Sequence, residues 1–168
     1  MTIHVESSRS RPVRDGDLQQ LLTRAYVEGG FTAPDRAAEV FAPTAVRARG
    51  DVLCAWQDGS HAPAGVVIVV PSSSAASRFA GEGEAEMHLL ATADECRRMG
   101  VGGALVAAAI DHARASSLRR MLLWTQPTMH AAQRLYSSAG FVREPTRDFH
   151  EGERHFLFYE KDLTAGSP

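Results

Sequence analysis

Five β-branched residues stand in succession from Val66 to Val70. A strand with one wet face alternates apolar and polar residues, whereas one that is apolar at every position has both faces covered. This run therefore belongs inside a sheet with layers packed on each side. The apolar run before it, "DVLCAW", is joined to it through "QDGSH", where Asp58-Gly59 supplies a turn, so the two read as a β-hairpin. The chain has 168 residues, 44% of them hydrophobic, which is enough for one sizeable core and short for two, given roughly 100–200 residues per domain. A single domain over residues 1–168 is expected.

Helical and strand patterns alternate through the rest of the chain. After a polar lead, "DGDLQQLLTRAY" places Leu18, Leu21, Leu22 and Ala25 at helical spacing behind an aspartate, and Pro34 opens a second helical stretch through Phe41. "PSSSAASRFAGEGE" reads as a loop within the domain. "EAEMHLLAT" follows as a strand, with Glu84, Glu86, His88 and Leu90 on one side and Ala85, Met87, Leu89 and Ala91 on the other. A helix with a broad apolar stripe (Leu105, Ala108, Ala109 and His112, with Val106, Ile110 and Ala113) comes next, then the short strand "RRMLLWT" and the helix "MHAAQRLYSSAG", stopped by Gly140. "FVRE" and "RHFLFYEKDL" read as two further strands, and residues 164–168 as a frayed tail. The order describes a mixed α/β domain.

Composition removes several function classes. A net charge of −2 gives no overall pull toward nucleic acid or an anionic membrane, and Arg119-Arg120 lack the aromatic interleaving of a nucleic-acid patch. No apolar run approaches the ~18 residues that span a bilayer, and the start lacks a secretory core, so a cytoplasmic protein is expected. Cys54 and Cys96 have no CxxC partner and fit reduced thiols. The seven histidines show no His-x-x-x-His spacing, so no metal site is expected.

The chemistry concentrates in "ECRRMGVGGALV", Glu95 to Val106. A strand ending in a glycine-rich turn that feeds a helix leaves the first amides of that helix unpaired and aimed at one point, which with the helix dipole makes an anion site. Gly100, Gly102 and Gly103 lack Cβ atoms, so a phosphate can approach the backbone, and Arg97 and Arg98 add positive charge. A Walker A loop needs Gly-Lys-Ser/Thr, whereas Gly103 is followed by Ala104 and Leu105; a GxGxxG fingerprint from Gly100 would need glycine at Leu105. Both fail. The plain alternative is that the glycines only permit close helix packing.

"RRMGVG" resembles the Arg/Gln-x-x-Gly-x-Gly/Ala signature of the GNAT superfamily of N-acetyltransferases, with Arg97, Gly100 and Gly102 on its defining positions. "LLAT" resembles the family's Leu-Ala-Val strand end, and "AAQRLYSSAGF" its Ala-x-x-Leu-Tyr-x-x-x-Gly-Phe, with Ala132, Leu135, Tyr136, Gly140 and Phe141 in register. The resemblance is firm from Glu84 to Leu163 and loose before that. It implies a single domain built on a twisted, mostly antiparallel sheet of about six to seven strands with a splayed parallel central pair, flanked by about four helices.

The resemblance also implies roles. Acetyl-coenzyme A would be the co-substrate, its pyrophosphate held by the turn Arg98, Met99, Gly100, Val101, Gly102, Gly103 and Ala104, with Arg97 fixing the turn or reaching phosphate. Leu90, Ala91 and Thr92 would run beside the pantetheine arm, and a backbone N–H near Leu90 would polarise the thioester carbonyl. Tyr136 would be the general acid for the departing thiolate; its alternative is a packed core ring. The acceptor amine must lose a proton, since with a lysine-like pKa only about one molecule in 2,500 is neutral at pH 7. Glu86 sits where some lysine acetyltransferases of the superfamily carry a glutamate base, with His88 its rival and a water relay the third route. As base, Glu86 would need burial to raise its pKa. Met129 replaces a common Asn, and Asp94 a common Pro. Cys96 is expected to be packed, because acyl transfer in the family resembles direct attack.

The function implied is acetyl transfer to a primary amine in a ternary complex; the alternative is a non-catalytic acyl-coenzyme A sensing module, with a nucleotide-phosphate binder third. Glu84, Glu86, Asp148, Glu151 and Glu153 point to a cationic acceptor such as a polyamine, aminoglycoside, amino acid or lysine side chain, and the late strands offer edges for a homodimer. The acceptor is expected near Glu84, Glu86, His88 and Trp124, lined by the first two helices, the 71–83 loop and the strands after Phe141.

Overall fold

In the computed structural model, which describes residues 2–165, the chain forms β1 (Ile3–Ser7), α1 (Asp15–Thr23), α2 (Pro34–Val40), α3 (Pro43–Arg49), β2 (Asp51–Gln57), β3 (Gly65–Pro71), β4 (Glu84–Thr92), α4 (Val101–Ala115), β5 (Arg120–Thr125), α5 (His130–Ser138), β6 (Val142–Arg143), β7 (Phe149–Glu151) and β8 (Arg154–Asp162). The strands lie in the order β1-β2-β3-β4-β5-β8-β6, with β7 also paired to β8. Every pair is antiparallel except β4 with β5.

The β-branched run is β3, and its side chains divide strictly between two layers. Val67 and Val69 enter the cluster under α4 and α5, while Val66, Ile68 and Val70 enter the cluster under α1, α2 and α3. All five are buried. Full burial of such a side chain is worth about 1.5–3 kcal/mol, so this strand anchors both layers at once. On one side α4 lays Leu105, Val106, Ala109, Ile110 and Ala113 on the sheet; on the other, α1 contributes Leu18, Leu21 and Leu22.

The mixed fold with one parallel pair is as expected, with eight strands and five α-helices rather than the smaller numbers anticipated. Three elements were not anticipated. The polar lead contains β1, an edge strand pairing from Ile3↔Gln57 to Ser7↔Leu53, and only partly buried. α3 follows α2 after a two-residue break and delivers Arg49 at its end. β7 folds the acidic segment back on β8, where Phe149 stacks on Phe156 at 5.0 Å. α1 continues through a π-helical turn, Arg24–Glu28, which carries Tyr26. In the expected frayed tail, the Thr164 N–H donates to Asp162 Oδ1 at 2.7 Å, and residues 166–168 lie outside the described residues. Among the described residues no helix is long and apolar enough to cross a membrane.

Candidate active site

β4 and β5 pair only over Glu84↔Arg120, Ala85↔Met121 and Glu86↔Leu122. Beyond Glu86 they diverge, and β5 runs on against β8 as far as Thr125↔Leu157. The opening is the mouth of a cavity of about 320 Å³, walled by Met87, His88, Leu89 and Leu90 of β4, Trp124 and Thr125 of β5, and Tyr136 of α5. Tyr26, the helices α2 and α3, the loop between β3 and β4, and β7–β8 close its other side.

A bulge shapes the β4 wall. Ile68 pairs with His88 and Val66 with Ala91, so Leu89 and Leu90 together oppose Val67, and Leu89 takes a φ of 53°. The extra residue resets the alternation. Leu89 and Ala91 therefore join the α1–α3 layer, while Leu90 packs under α4 and α5. This corrects the expectation that Leu90 shares a side with Glu86 and His88; Leu89 takes that place. The Leu90 carbonyl accepts the Tyr26 hydroxyl at 2.9 Å.

Glu86 is fully buried, and its carboxylate is spoken for on both oxygens. Oε1 accepts the main-chain N–H groups of Arg78 (2.7 Å), Phe79 (2.5 Å) and Ala80 (2.9 Å) and the Ser77 hydroxyl (3.2 Å), while Oε2 meets His88 Nε2 at 2.7 Å. Burial alone would raise this carboxyl, but the hydrogen bonds from His88 and those amides outweigh it and bring the pKa down to about 2. The expected rise in basicity is thus reversed: Glu86 pins the loop over the cavity and braces His88.

His88 lies beside it, 7% exposed, with its ring edge-on to Trp124 at 5.2 Å. With Nε2–H donating to Glu86, Nδ1 carries the lone pair, and the Arg49 guanidinium donates to it at 3.0 Å. Burial is the largest influence on this imidazole and lowers its pKa; the Glu86 contacts oppose that, and Arg49 and Arg78 reinforce it. His88 is neutral at pH 7.

Tyr136 is buried at the cavity wall. Its ring packs among Phe141 (6.0 Å) and Tyr159 (6.2 Å), and the side chain still lines the cavity. Burial, helped by Tyr159, pushes its pKa up, which keeps the hydroxyl protonated. Met129 also faces the cavity, its sulfur accepting the Thr125 hydroxyl at 3.3 Å.

At the far end of β4, Thr92 leads into the glycine turn. Arg97 pairs with Asp94 at 2.7 Å, while Arg98 (φ 63°) and Met99 are exposed. Gly100 caps α4 at φ 81°, a conformation other residues resist. The first helical amide to bond back is that of Ala104, to the Gly100 carbonyl at 3.0 Å, and no side chain caps the helix. The amides of Val101, Gly102 and Gly103 are thus available at the positive end of a fifteen-residue helix. A Cβ at Gly100 or Gly103 would meet nothing within 4 Å, whereas one at Gly102 would meet Leu135 at 3.0 Å. Packing explains Gly102 alone. Gly100 is favoured by its positive φ, and both it and Gly103 border open space.

The cysteines take no part: both are buried, and burial raises each thiol, Cys54 to about 12. Among the described residues no group of three or more His, Cys, Asp or Glu is placed to hold a metal ion. The sequence places the first two helices, the 71–83 loop and the strands after Phe141 around the acceptor, but it singles out none of Tyr26, Arg36, Arg49, Arg78 and Arg154, all of which line the cavity. Their positions are scattered over four elements and a loop, and no spacing unites them.

Comparison with known proteins adds an independent line. A sequence search of curated proteins finds no match. The fold is shared with a GNAT-family acetyltransferase from Staphylococcus aureus (TM-score 0.73, 15% identity, 97% of this chain and 100% of that one). It is shared with a Bacillus subtilis acetyltransferase in complex with CoA (0.67, 19%, 96% and 99%). The structure of yncA from Salmonella typhimurium with its cofactor acetyl-CoA aligns similarly (0.68, 18%, 100% and 98%). At these identities the neighbours speak to the fold. The sequence pattern of the acetyltransferase (GNAT) family matches residues 16–141, a span that holds the splayed strands, the open α4 terminus and the tyrosine helix together. The chain belongs to the GNAT family of acetyltransferases.

Proposed function

We propose that this protein transfers an acetyl group from acetyl-coenzyme A to a primary amine, both substrates being held in the β4–β5 cleft at once. One observation carries the reading: the strand that frames the cavity with His88 also leads directly into the open amides of α4. Structural neighbours crystallised with CoA and acetyl-CoA support it. The amides of Val101, Gly102 and Gly103, with Arg98, would hold the cofactor's phosphates, and Leu90 and Thr92 would flank its arm. When bound, the cofactor supplies an activated acetyl thioester.

His88 acts as the base through Nδ1, taking a proton from the acceptor nitrogen as that nitrogen bonds the acetyl carbon. Glu86 holds the ring in the required tautomer and steadies the imidazolium. A main-chain N–H near Leu90 would stabilise the developing oxygen charge. Tyr136 protonates the sulfur as the carbon–sulfur bond breaks, and solvent returns the proton from His88 to the tyrosine afterwards. Burial and raised pKa values argue against either thiol acting as a nucleophile.

The test is to incubate the protein with acetyl-coenzyme A and a panel of amines while following free thiol. Acceptor-dependent release is expected. Saturable cofactor binding without release for any amine would instead identify a sensing module, and no binding would revive a nucleotide-phosphate ligand.

A further inference from the structure

The carboxylates that pointed to a cationic acceptor are all engaged elsewhere or absent from the cavity. Glu84 accepts the Gly81 N–H at 2.9 Å and pairs with Arg120; Glu86 is buried behind His88; Asp148 forms a two-pronged pair with Arg143 at 2.6 and 2.8 Å. Glu153 does not line the cavity. The single lining carboxylate, Glu151, is shared by three guanidinium groups: Arg36 (3.3 Å), Arg78 (3.5 Å) and Arg154.

Four arginines against one carboxylate leave the cavity wall with a formal excess of three positive charges, and counting Glu86 behind the wall still leaves two. Arg49 is the decisive member. It is partly buried, and among the described residues its one polar contact is with the neutral His88; no carboxylate pairs with it. A cation taken out of water without a counter-ion is costly, and a wall that keeps one is built to meet an anion that arrives with the ligand. The remaining lining is apolar and aromatic: Tyr26, Phe41, Trp124 and Phe156.

We infer that the acceptor is a small amine that also bears a carboxylate, with an apolar body lying against the aromatic wall and the carboxylate held by Arg49 and the arginines around Glu151. The cavity of about 320 Å³ must also admit the acetyl thioester, which limits the acceptor to a small molecule. This rests on the acetyl-transfer reading above. Recognition and catalysis are then linked, because a carboxylate that draws Arg49 away uncovers the His88 lone pair that must take the amine proton.

The experiment compares phenylalanine, phenylalaninamide, phenethylamine, the aminophosphonate analogue of phenylalanine and spermidine as acceptors, with thiol release as the readout. A charge-assisted pair predicts kcat/KM about 10–100-fold higher for the amino acid than for its amide or decarboxylated amine. In Arg49→Gln and in Arg36→Gln/Arg78→Gln that ratio shrinks toward one. The ratio within each variant removes losses of folding or basicity common to all acceptors. Faster turnover of spermidine or phenethylamine than of phenylalanine overturns the inference while leaving the transferase intact, as does a large preference that survives both variants. A tenfold preference for the phosphonate overturns the carboxylate assignment. Cofactor binding with no turnover of any acceptor is the separate failure of the transferase reading.

Discussion

The two ends of β4 are built by opposite means. At the Thr92 end, the site is main chain: three consecutive amides, a glycine at φ 81° and an open face where no Cβ intrudes. At the Glu86 end it is side chain: an imidazole, a buried carboxylate and arginines delivered by α2, α3, the loop before β4 and β8. Amides at a helix terminus bind any phosphate and tolerate change in the residues that carry them. Side chains gathered from distant elements can be exchanged one by one. The first design suits a cofactor common to many relatives, the second an acceptor peculiar to one.

That contrast can be broken most severely at the reacting atoms. Tyr136→Phe is expected to lower kcat about 100–10,000-fold with cofactor affinity unchanged; a loss of only a few fold would make Tyr136 a packing residue. His88→Gln should cost about 100-fold and remove the acid limb of the pH–rate profile, which in the wild type lies below the usual imidazole range. Gly103→Asp addresses the other end. An acid in the first turn favours the helix dipole, so the melting temperature should hold or rise while the KM for acetyl-coenzyme A increases about 10–100-fold. A parallel change in the acceptor KM would erase the division between the two ends.

Glu86→Gln has a smaller effect with a diagnostic direction. Because the Glu86 contacts raise the His88 pKa, their loss should move the acid limb to lower pH, with kcat reduced about tenfold. A purely structural role would leave that limb in place. Glu86 also sets a stability window: its folded pKa is depressed from 4.5 to about 2, so its contribution is complete above the unfolded value and is lost as pH falls from there toward 2. Acid titration of the wild type and of Glu86→Gln, monitored by circular dichroism, should diverge above that range and converge within it. The smallest test separates two neighbouring glycines. Gly103→Ala should gain about 0.5–1 kcal/mol of stability, whereas Gly102→Ala gains nothing because its methyl group meets Leu135.

The same contrast governs what could be read from the sequence. The α4 turn and the tyrosine helix are continuous segments with fixed spacing, so Arg97, Gly100, Gly102 and Tyr136 could be placed before any coordinates. Strand β3 declared its two covered faces through composition alone. The bulge at Leu89 left no mark, since "HLLAT" contains neither glycine nor proline and strict alternation was the natural assumption. The pinning of Glu86 was equally hidden, because its three main-chain donors carry no residue identity. Arg36, Arg49, Arg78 and Arg154 converge only once the chain is folded, and the acidic segment around β7 looked available until its arginine partners were beside it. β1 escaped because a partly buried edge strand lacks a clear period.

Initial rates over a grid of acetyl-coenzyme A and acceptor concentrations test most directly whether the two ends work on two substrates held together. Direct attack in one cleft requires double-reciprocal lines that intersect, since both substrates must be present before thiol is released. Parallel lines, with thiol released before the acceptor binds, would mean a covalent acetyl-enzyme and would contradict the cleft described here.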